Sequence, residues 1–432
     1  MYPPQKKTFF LNIMEFYKRL CTGISYLNIA AALWVSSTLL FSFKYQYWAL
    51  IVFFFSYILD YTLNKRWKNF TWNRDKWEYI AFIIFFLLIP LRHLFEPITT
   101  PRYNAVIERY LPFLGFGIIG ILGINEKYKP QYFGYVFITT AIITSLYLIV
   151  DKIGLTNFIT SAEKTYLFGS ARITYVNAHM TFNLYLNTAL IFVGFIITRK
   201  KINTYIRIAT TICGLMIYYL LFISEGRTGF ITANLIICIF FLYRIWFLSR
   251  KIFIPSIILS GILLLIAVSS HKRIAPNALN SDPRSIIWEV TIELIKEKPF
   301  FGYGASKGRQ KFVEAGMNNQ EFVDRYAGPF IINNPLCNGE KGLSMMHPHN
   351  LFLETLLEFG IVGLTVLLFL LFFPLTTGEI NKRIYIWMFI GAFSIQAMFE
   401  TLGNHLLPIL FVLIVVLWNQ GKGEDYNNKI ED

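Results

Sequence analysis

Charge is scarce in this 432-residue chain: 15% of its residues are Asp, Glu, Lys or Arg, against about 25% in a typical soluble domain. Cysteine is scarcer still. Of the four present, Cys21, Cys213 and Cys238 lie in or beside apolar runs, and Cys337 stands alone. There is no CxxC pair and no metal-like Cys/His spacing, so neither a disulfide framework nor a thiolate metal site is supported. The chain also lacks a GxxxxGK[ST] loop and an HExxH motif, and Gly302-Tyr303-Gly304 does not meet the dinucleotide pattern. No paired-carboxylate arrangement typical of a divalent-metal centre is present. The apolar runs do not alternate with polar residues, which excludes membrane-spanning strands.

Apolar side chains are what the chain has in excess. They make up 55% of it, aromatic residues 18%, and Phe alone accounts for 42 positions. A soluble fold could not hide that surface, whereas a bilayer accepts it. A helix needs roughly 20 apolar residues to cross the hydrocarbon. Twelve stretches qualify, near 22–42, 47–63, 78–95, 108–124, 132–150, 179–198, 206–224, 228–248, 252–269, 350–374, 384–402 and 405–419. The fold expected is therefore an all-α integral membrane protein with about 12 transmembrane helices and one large extramembrane loop. Residues 1–269 carry helices 1–9, residues 270–348 form the polar insert, and residues 349–432 carry helices 10–12 and a tail. The basic N-terminus runs into the first apolar stretch without a small-residue cleavage site, so that stretch reads as a retained span.

The formal net charge is +14. In a soluble protein this would suggest nucleic acid. Here the basic residues gather in short loops: Lys65, Arg66 and Lys68; Lys127 and Lys129; Arg199, Lys200 and Lys201; Arg250 and Lys251; Lys382 and Arg383. These loops alternate in register with the basic N-terminus, as expected of the cytoplasmic side. Both termini are then cytoplasmic. Residues 96–107, 151–178, the Ser224–Arg227 turn, the insert and the Glu400–His405 turn face outward. Nucleic acid is not a partner on this reading, and membrane lipids are.

Within the insert, Asp282-Pro283 signals a helix start, and apolar residues among charged ones predict an amphipathic helix from Arg284 to Lys298. Ile287, Val290, Ile292, Leu294 and Ile295 would form its apolar side, lying on the membrane or capping the bundle. Pro299 and the Gly302/Gly304 pair end it. Residues 305–345, rich in Gly, Asn and charge, read as a partly ordered lid or loop.

The chemistry-bearing residues collect at the outward ends of the spans. Arg227, in Ser224-Glu225-Gly226-Arg227-Thr228-Gly229, separates two apolar runs. An ionised Arg is costly there unless paired or facing water, and its planar fork suits phosphate. Its structural alternative is an interfacial turn whose Arg reaches lipid headgroups. His349, in His347-Pro348-His349-Asn350, lies at the mouth of the tenth span. Its imidazole can accept a proton from a hydroxyl, and helix-terminal N–H groups nearby suit an anion. Asn350, Glu354 and Glu358 follow at helical spacing on one face, which also fits a polar seam between helices. Arg284 opens the amphipathic helix as a second phosphate clamp or a solvated surface residue. Arg172, with His179, Asn183 and Asn187 along the sixth span, either lines the same cavity or bonds neighbouring helices. His405 is a weaker candidate, and His93 and His271 are isolated.

Taken together, SEGRTGF (224–230), PRSIIWEVTIELIKEKPFFGYG (283–304) and HPHNLFLETLLEFGIVG (347–363) resemble the motifs of the O-antigen ligase and O-antigen polymerase superfamily of bacterial envelope glycosyltransferases. The motif order and the twelve-span layout are similar too, while residues 1–170 contribute little beyond topology. The resemblance implies a GT-C-like fold in the inner membrane, with the insert in the periplasm. It implies an undecaprenyl-diphosphate-linked O-antigen donor, a lipid A–core acceptor, lipopolysaccharide biosynthesis, and inverting, metal-independent transfer without a cofactor. Arg227 and Arg284 would bind the diphosphate and His349 would activate or orient the acceptor hydroxyl. Arg172, His179, His347, Asn350 and Glu354 would contribute to substrate binding. O-antigen polymerase is the alternative function, followed by protein O-oligosaccharyltransferase. A transporter is a further alternative, against which stand the missing internal repeat and the concentration of polar residues at one membrane face. Sugar identity, chain length and protein partners are not specified by the sequence.

Overall fold

A computed structural model describes residues 4–41, 43–95, 103–160, 179–199, 201–224, 227–269, 282–305, 307–329, 346–376, 380–399 and 406–420. Among these the fold is helical throughout. The first nine long helices are α1 (Pro4–Thr38), α2 (Phe43–Leu63), α3 (Lys76–Phe95), α4 (Tyr103–Leu122), α5 (Pro130–Tyr147), α6 (His179–Ile197), α7 (Thr204–Ile223), α8 (Arg227–Leu248) and α9 (Arg250–Ser269). The insert adds α10 (Arg284–Glu297) and α11 (Lys307–Met317), and the C-terminal part forms α12 (Leu351–Phe372), α13 (Ile380–Ala397) and α14 (Leu406–Gln420). Each of the twelve predicted apolar stretches holds a helix. Among the described residues, six helices are long and apolar enough to cross a membrane, and Thr181–Ile197, Ile384–Ala397 and Pro408–Gln420 are shorter apolar helices. The protein is a multi-span helical membrane protein.

Residue chemistry decides where each helix sits. A helix apolar on every side is buried on every side. Every residue of α6 from Thr181 to Val193, and of α14 from Ile409 to Trp418, is buried. These two form the centre. Phe192 stacks on Trp418 with ring centroids 5.3 Å apart, and Trp418 on Tyr385 of α13 at 5.5 Å. By contrast α7 exposes Ile208, Ile212, Leu215 and Phe222, the pattern of a helix at the bundle edge.

Polar latches close the end of the bundle where α3 begins. Asn419 Nδ2 donates to Glu78 Oε2 at 2.8 Å, and Gln420 Nε2 to the Gly120 carbonyl at 2.6 Å. Nearby, buried Asp60 accepts from Ser25, Asn64, Asn125 and Arg66, the last at 3.1 Å. Arg66, expected in a basic loop, is thus half of an ion pair that ties α2 to its neighbours.

The insert packs at the other end of α3. Arg92 Nη2 donates to the Gly302 carbonyl at 3.0 Å. The predicted amphipathic helix is α10, and its apolar side caps the bundle instead of lying on the membrane. Ile286, Ile287, Val290 and Leu294 share a small second core with Phe312, Phe322, Tyr326, Met346 and Leu357. Ile292, expected on that side, is exposed. The expected loop over 305–345 is corrected in part. Residues 307–317 are helical, and a short helix with a π-helical turn covers Gln320–Ala327. Phe312 and Phe322 supply the burial that holds them; residues 330–345 lie outside the described residues.

The tenth predicted span holds α12, which is long and apolar enough to cross a membrane but is not continuous. Gly360 adopts φ 64° and ψ −161° and breaks it. Such a break leaves backbone groups without intrahelical partners, and buried ones must be paired elsewhere. The turn after α10 supplies those partners. Tyr303 N donates to Leu357 O and Gly304 N to Glu358 O, both at 2.8 Å, while Ile361 N donates to Pro299 O at 2.8 Å and Val362 N to Phe300 O at 3.3 Å. The insert is therefore clasped into the helix that follows it.

Candidate active site

The segment Met346–Asn350 crosses from the second core to the start of α12. His349 stands in the left-handed region at φ 50°, where non-glycine residues are uncommon. This turn folds the two imidazoles together. The rings of His347 and His349 lie 3.9 Å apart between centroids, and the His349 amide donates to His347 Nδ1 at 3.3 Å. His349 Nε2 meets the Tyr326 hydroxyl at 3.1 Å. His349 Nδ1 is buried and has no hydrogen-bond partner among the described residues.

Asn350 and Glu354, expected to contribute to substrate binding, each have partners within the protein. Asn350 is the N-cap of α12: its side-chain oxygen accepts from the amides of Phe352 at 3.0 Å and Leu353 at 3.1 Å. Two of the helix-terminal N–H groups, those of Phe352 and Leu353, are occupied by this cap, as is common for Asn at that position. Glu354 is buried and paired with Arg309 Nη2 of α11 at 2.7 Å. Glu358, one turn further on, is buried as well.

Arg284 opens α10 and pairs with Asp282 at 2.9 Å. Its guanidinium lies 5.4 Å from the Phe399 ring at the end of α13. Its Nε is buried and unpartnered among the described residues. Arg284 is close enough to act on His349 electrostatically. Burial first, then the charges of Arg284 and Arg309, lower the His349 pKa to about 4, with Asp282 opposing them. Burial, His349, Arg309 and Arg109 likewise hold His347 well below its ordinary value. Both rings are neutral at pH 7.

Arg227 is the first residue of α8, but its side chain lies outside the described residues, as do Arg172, His405 and the side chain of His179. The turn around Arg227 is held by α6. Ser224 Oγ donates to Asn183 Oδ1 at 2.8 Å, and Asn187 Nδ2 to the Gly229 carbonyl at 3.0 Å. The Asn183/Asn187 seam thus bonds neighbouring helices. Helix α8 also packs on α13, the helix that ends beneath Arg284.

Three residues of this region carried no signal in the sequence motifs: Tyr326, Arg309 and Arg109. The spacing of Phe322 and Tyr326, four apart, was the one local hint of a helical turn with an inward face.

Comparison with known proteins supports the same superfamily over part of the chain. Residues 211–368 match the family model described as O-Antigen ligase. A Rickettsia conorii protein named "Putative polysaccharide ligase" is 32% identical over 171 residues, covering 37% of this chain and 36% of that protein. A Rickettsia felis protein of the same name is 31% identical over 171 residues, 37% of each chain. One from Rickettsia typhi is 31% identical over 185 residues, 40% of this chain and 39% of its own. The chain aligns with between a third and two fifths of the length of these relatives. The family match runs from the helix before Arg227, through Arg284 and His349, to beyond the Gly360 break, so it contains the whole insert and its clasp.

Proposed function

We propose that this protein is an O-antigen ligase of GT-C type that transfers a glycan from undecaprenyl diphosphate to a sugar hydroxyl of lipid A–core, at the periplasmic face of the inner membrane. The observation that carries the reading is the neutral His349, with a buried unpartnered Nδ1, set beside the Arg284 guanidinium inside the family-matched segment.

The chemistry follows from those groups. In this reading His349 is the Nε2–H tautomer, donating to the Tyr326 oxygen, and its Nδ1 lone pair is the proton acceptor. The acceptor hydroxyl attacks the anomeric carbon, its proton passes to His349, and the carbon–oxygen bond to the diphosphate breaks with the electron pair leaving on oxygen. One displacement inverts the centre. Arg284, with Arg227, stabilises the charge growing on the departing diphosphate. A base with a pKa of about 4 is weak at neutral pH. The donor corrects this: a diphosphate beside Arg284 offsets the guanidinium charge that helps depress His349. The imidazole becomes more basic once the donor is in place.

The test is a reconstituted assay with lipid-linked glycan and purified lipid A–core. Transfer by the wild type, with at least hundredfold loss in His349→Ala and Arg284→Ala variants that remain folded, supports the reading. Growth of lipid-linked repeat units without transfer to core would replace it with O-antigen polymerase. Near wild-type transfer by His349→Ala would overturn the assigned role.

A further inference from the structure

Two buried donors on one flank of α10 have no partner among the described residues: Arg284 Nε and Trp288 Nε1. Such atoms are rare, because an unpaired buried donor forfeits its bonds to water. An indole N–H is a donor only, so turning its own hydrogen cannot satisfy it. The neighbouring face of α10 is taken up by the second core, through Ile286, Ile287, Val290 and Leu294. Trp288 packs at the margin of that core and reaches the end of α13.

Phe399, just beyond α13, joins the two side chains. The Arg284 guanidinium carbon lies 5.4 Å from the centroid of its ring, and the Trp288 ring lies 6.5 Å from it at an interplanar angle of 36°. Residues four apart on a helix are neighbours, with Cβ atoms about 5–6 Å apart. The two unpaired donors therefore flank one aromatic platform. Arg284 is also held by Asp282: Nη1 donates to Oδ2 at 2.9 Å, and the Arg284 amide donates to Oδ1 at 3.1 Å. With Nη1 taken, the guanidinium keeps the edge that carries Nε. Such an edge grips an oxyanion through two parallel N–H bonds. One helical turn away, Trp288 adds a third donor.

We propose that Trp288 is a further substrate-binding residue of this site: its indole N–H donates to an oxygen of the lipid donor's diphosphate while the Nε edge of Arg284 holds the same group. A diphosphate fits because it carries oxygens on two phosphorus atoms and so meets donors one helical turn apart. Its negative charge also matches the guanidinium, which a sugar hydroxyl does not. The identity of the ligand rests on the glycosyl-transfer reading; the unpaired donors and their shared platform belong to the protein alone.

The experiment titrates the protein in lipid nanodiscs with undecaprenyl diphosphate, which carries no glycan. Trp288→Phe keeps an aromatic ring beside Phe399 and removes the N–H. Its affinity for this lipid should fall about tenfold, as expected when a hydrogen bond to a charged group is lost. In the transfer assay its KM for the lipid donor should rise by a similar factor, with kcat changed less. In parallel, wild-type protein labelled with 15N at the indole nitrogens of its nine tryptophans is titrated with the same lipid. The Trp288 resonance, assigned by its loss in Trp288→Phe, or in Trp288→Tyr if the Phe variant fails to fold, should move on binding. Either an unmoved resonance or an unchanged affinity would overturn the proposal. Movement only with a glycan-bearing lipid would assign the N–H to a sugar oxygen and overturn it too, as would movement with inorganic pyrophosphate and not with the lipid. If resonance and affinity respond as expected while wild type transfers no glycan to lipid A–core, the diphosphate site stands and the proposed reaction falls. If wild type transfers glycan and Trp288→Phe keeps its KM for the donor, the reaction stands and this site falls.

Discussion

The hydroxyl of Tyr326 lies 3.1 Å from Nε2 of His349, and the two rings meet edge to face at 5.9 Å between centroids. This contact fixes which imidazole nitrogen is left open. Replacing Tyr326 with Phe keeps the packing against Phe322 and removes only the hydrogen bond. Such a bond is worth about 1 kcal/mol, and losing it also frees the tautomer. We expect kcat to fall by about tenfold with the melting temperature nearly unchanged. Steady-state transfer kinetics beside a thermal-shift measurement checks this; a Phe variant with full kcat would remove Tyr326 from the site.

The pH behaviour of His349 gives a second expectation. Its folded pKa of about 4 lies below the ordinary 6.5, so the unfolded chain binds the proton more readily. Stability is then fully present above pH 6.5 and is lost as pH falls toward 4. A drop from 6.5 to about 4 corresponds to about 3 kcal/mol at 1.36 kcal/mol per pH unit. His349→Asn should flatten that acid decline, measured as melting temperature against pH. Activity carries the donor's signature as well. The acid limb of kcat, which reports the complex, should lie at higher pH than that of kcat/KM, which reports the free enzyme. Coincident limbs would mean that the donor does not offset Arg284.

How much of this was legible in the sequence depended on how local the signal was. Arg284–Glu297 could be read as a helix because its start signal and apolar spacing lie within fifteen residues. His347 and His349 stand in one pentapeptide, but the turn at His349 that brings their rings together has no mark in the sequence. Arg92 and Gly302, 210 residues apart, left no such trace, nor did Arg309 and Glu354, 45 apart. The Gly360 break was visible only as a glycine in an apolar run, which also occurs in unbroken spans. What turns it into a break is the backbone of residues 299–304, and no local pattern announces that partner. Residues 307–317 were misread because Gly308 and Gly316 weaken the helical pattern, while the burial of Phe312 that decides the matter is tertiary.

Gly360 is the point where the clasp can be broken with one methyl group. A Cβ there would stand 2.3 Å from the Phe300 carbonyl carbon, and φ 64° is strained for any L side chain. Gly360→Ala must push the Pro299–Gly304 turn away and expose up to four backbone hydrogen bonds. We expect a loss of roughly 3 kcal/mol or more, with strain of about 1–3 kcal/mol adding to the lost bonds. Limited proteolysis should cut the insert before the remaining helices are attacked. A variant whose insert stays as resistant as the wild type would show that the clasp is not what holds it.

At the other end of α3, the Asp60–Arg66 pair separates stability from activity. Asp60 is fully buried and Arg66 mostly so. Removing Arg66 leaves the carboxylate with only neutral donors, and breaking a buried pair in this way costs about 3–5 kcal/mol. Arg66→Ala should lower the melting temperature, while kcat per folded molecule stays within about twofold, since a fold-change of two is below 0.5 kcal/mol. Asp60→Asn in the same chain should recover part of the loss, because Ser25, Asn64 and Asn125 can still bond an amide oxygen. Failure of the double variant to recover would show that Arg66 acts through its stacking on Tyr57 and Tyr61.

Asn350 separates helix capping from substrate binding. Its oxygen is occupied by two backbone amides of α12, so its contribution should follow cap chemistry. Asn350→Ser offers a shorter oxygen for the same role and should cost little, whereas Asn350→Ala should cost about 1 kcal/mol. Because His349 precedes the cap directly, fraying of the first turn of α12 would loosen the imidazole. The Ala variant should therefore lose kcat, the Ser variant should keep it, and KM for the lipid donor should not change in either. A rise in donor KM in both variants would instead mean that Asn350 leaves its cap to bind the substrate, and the assignment of that oxygen to the helix end would be wrong.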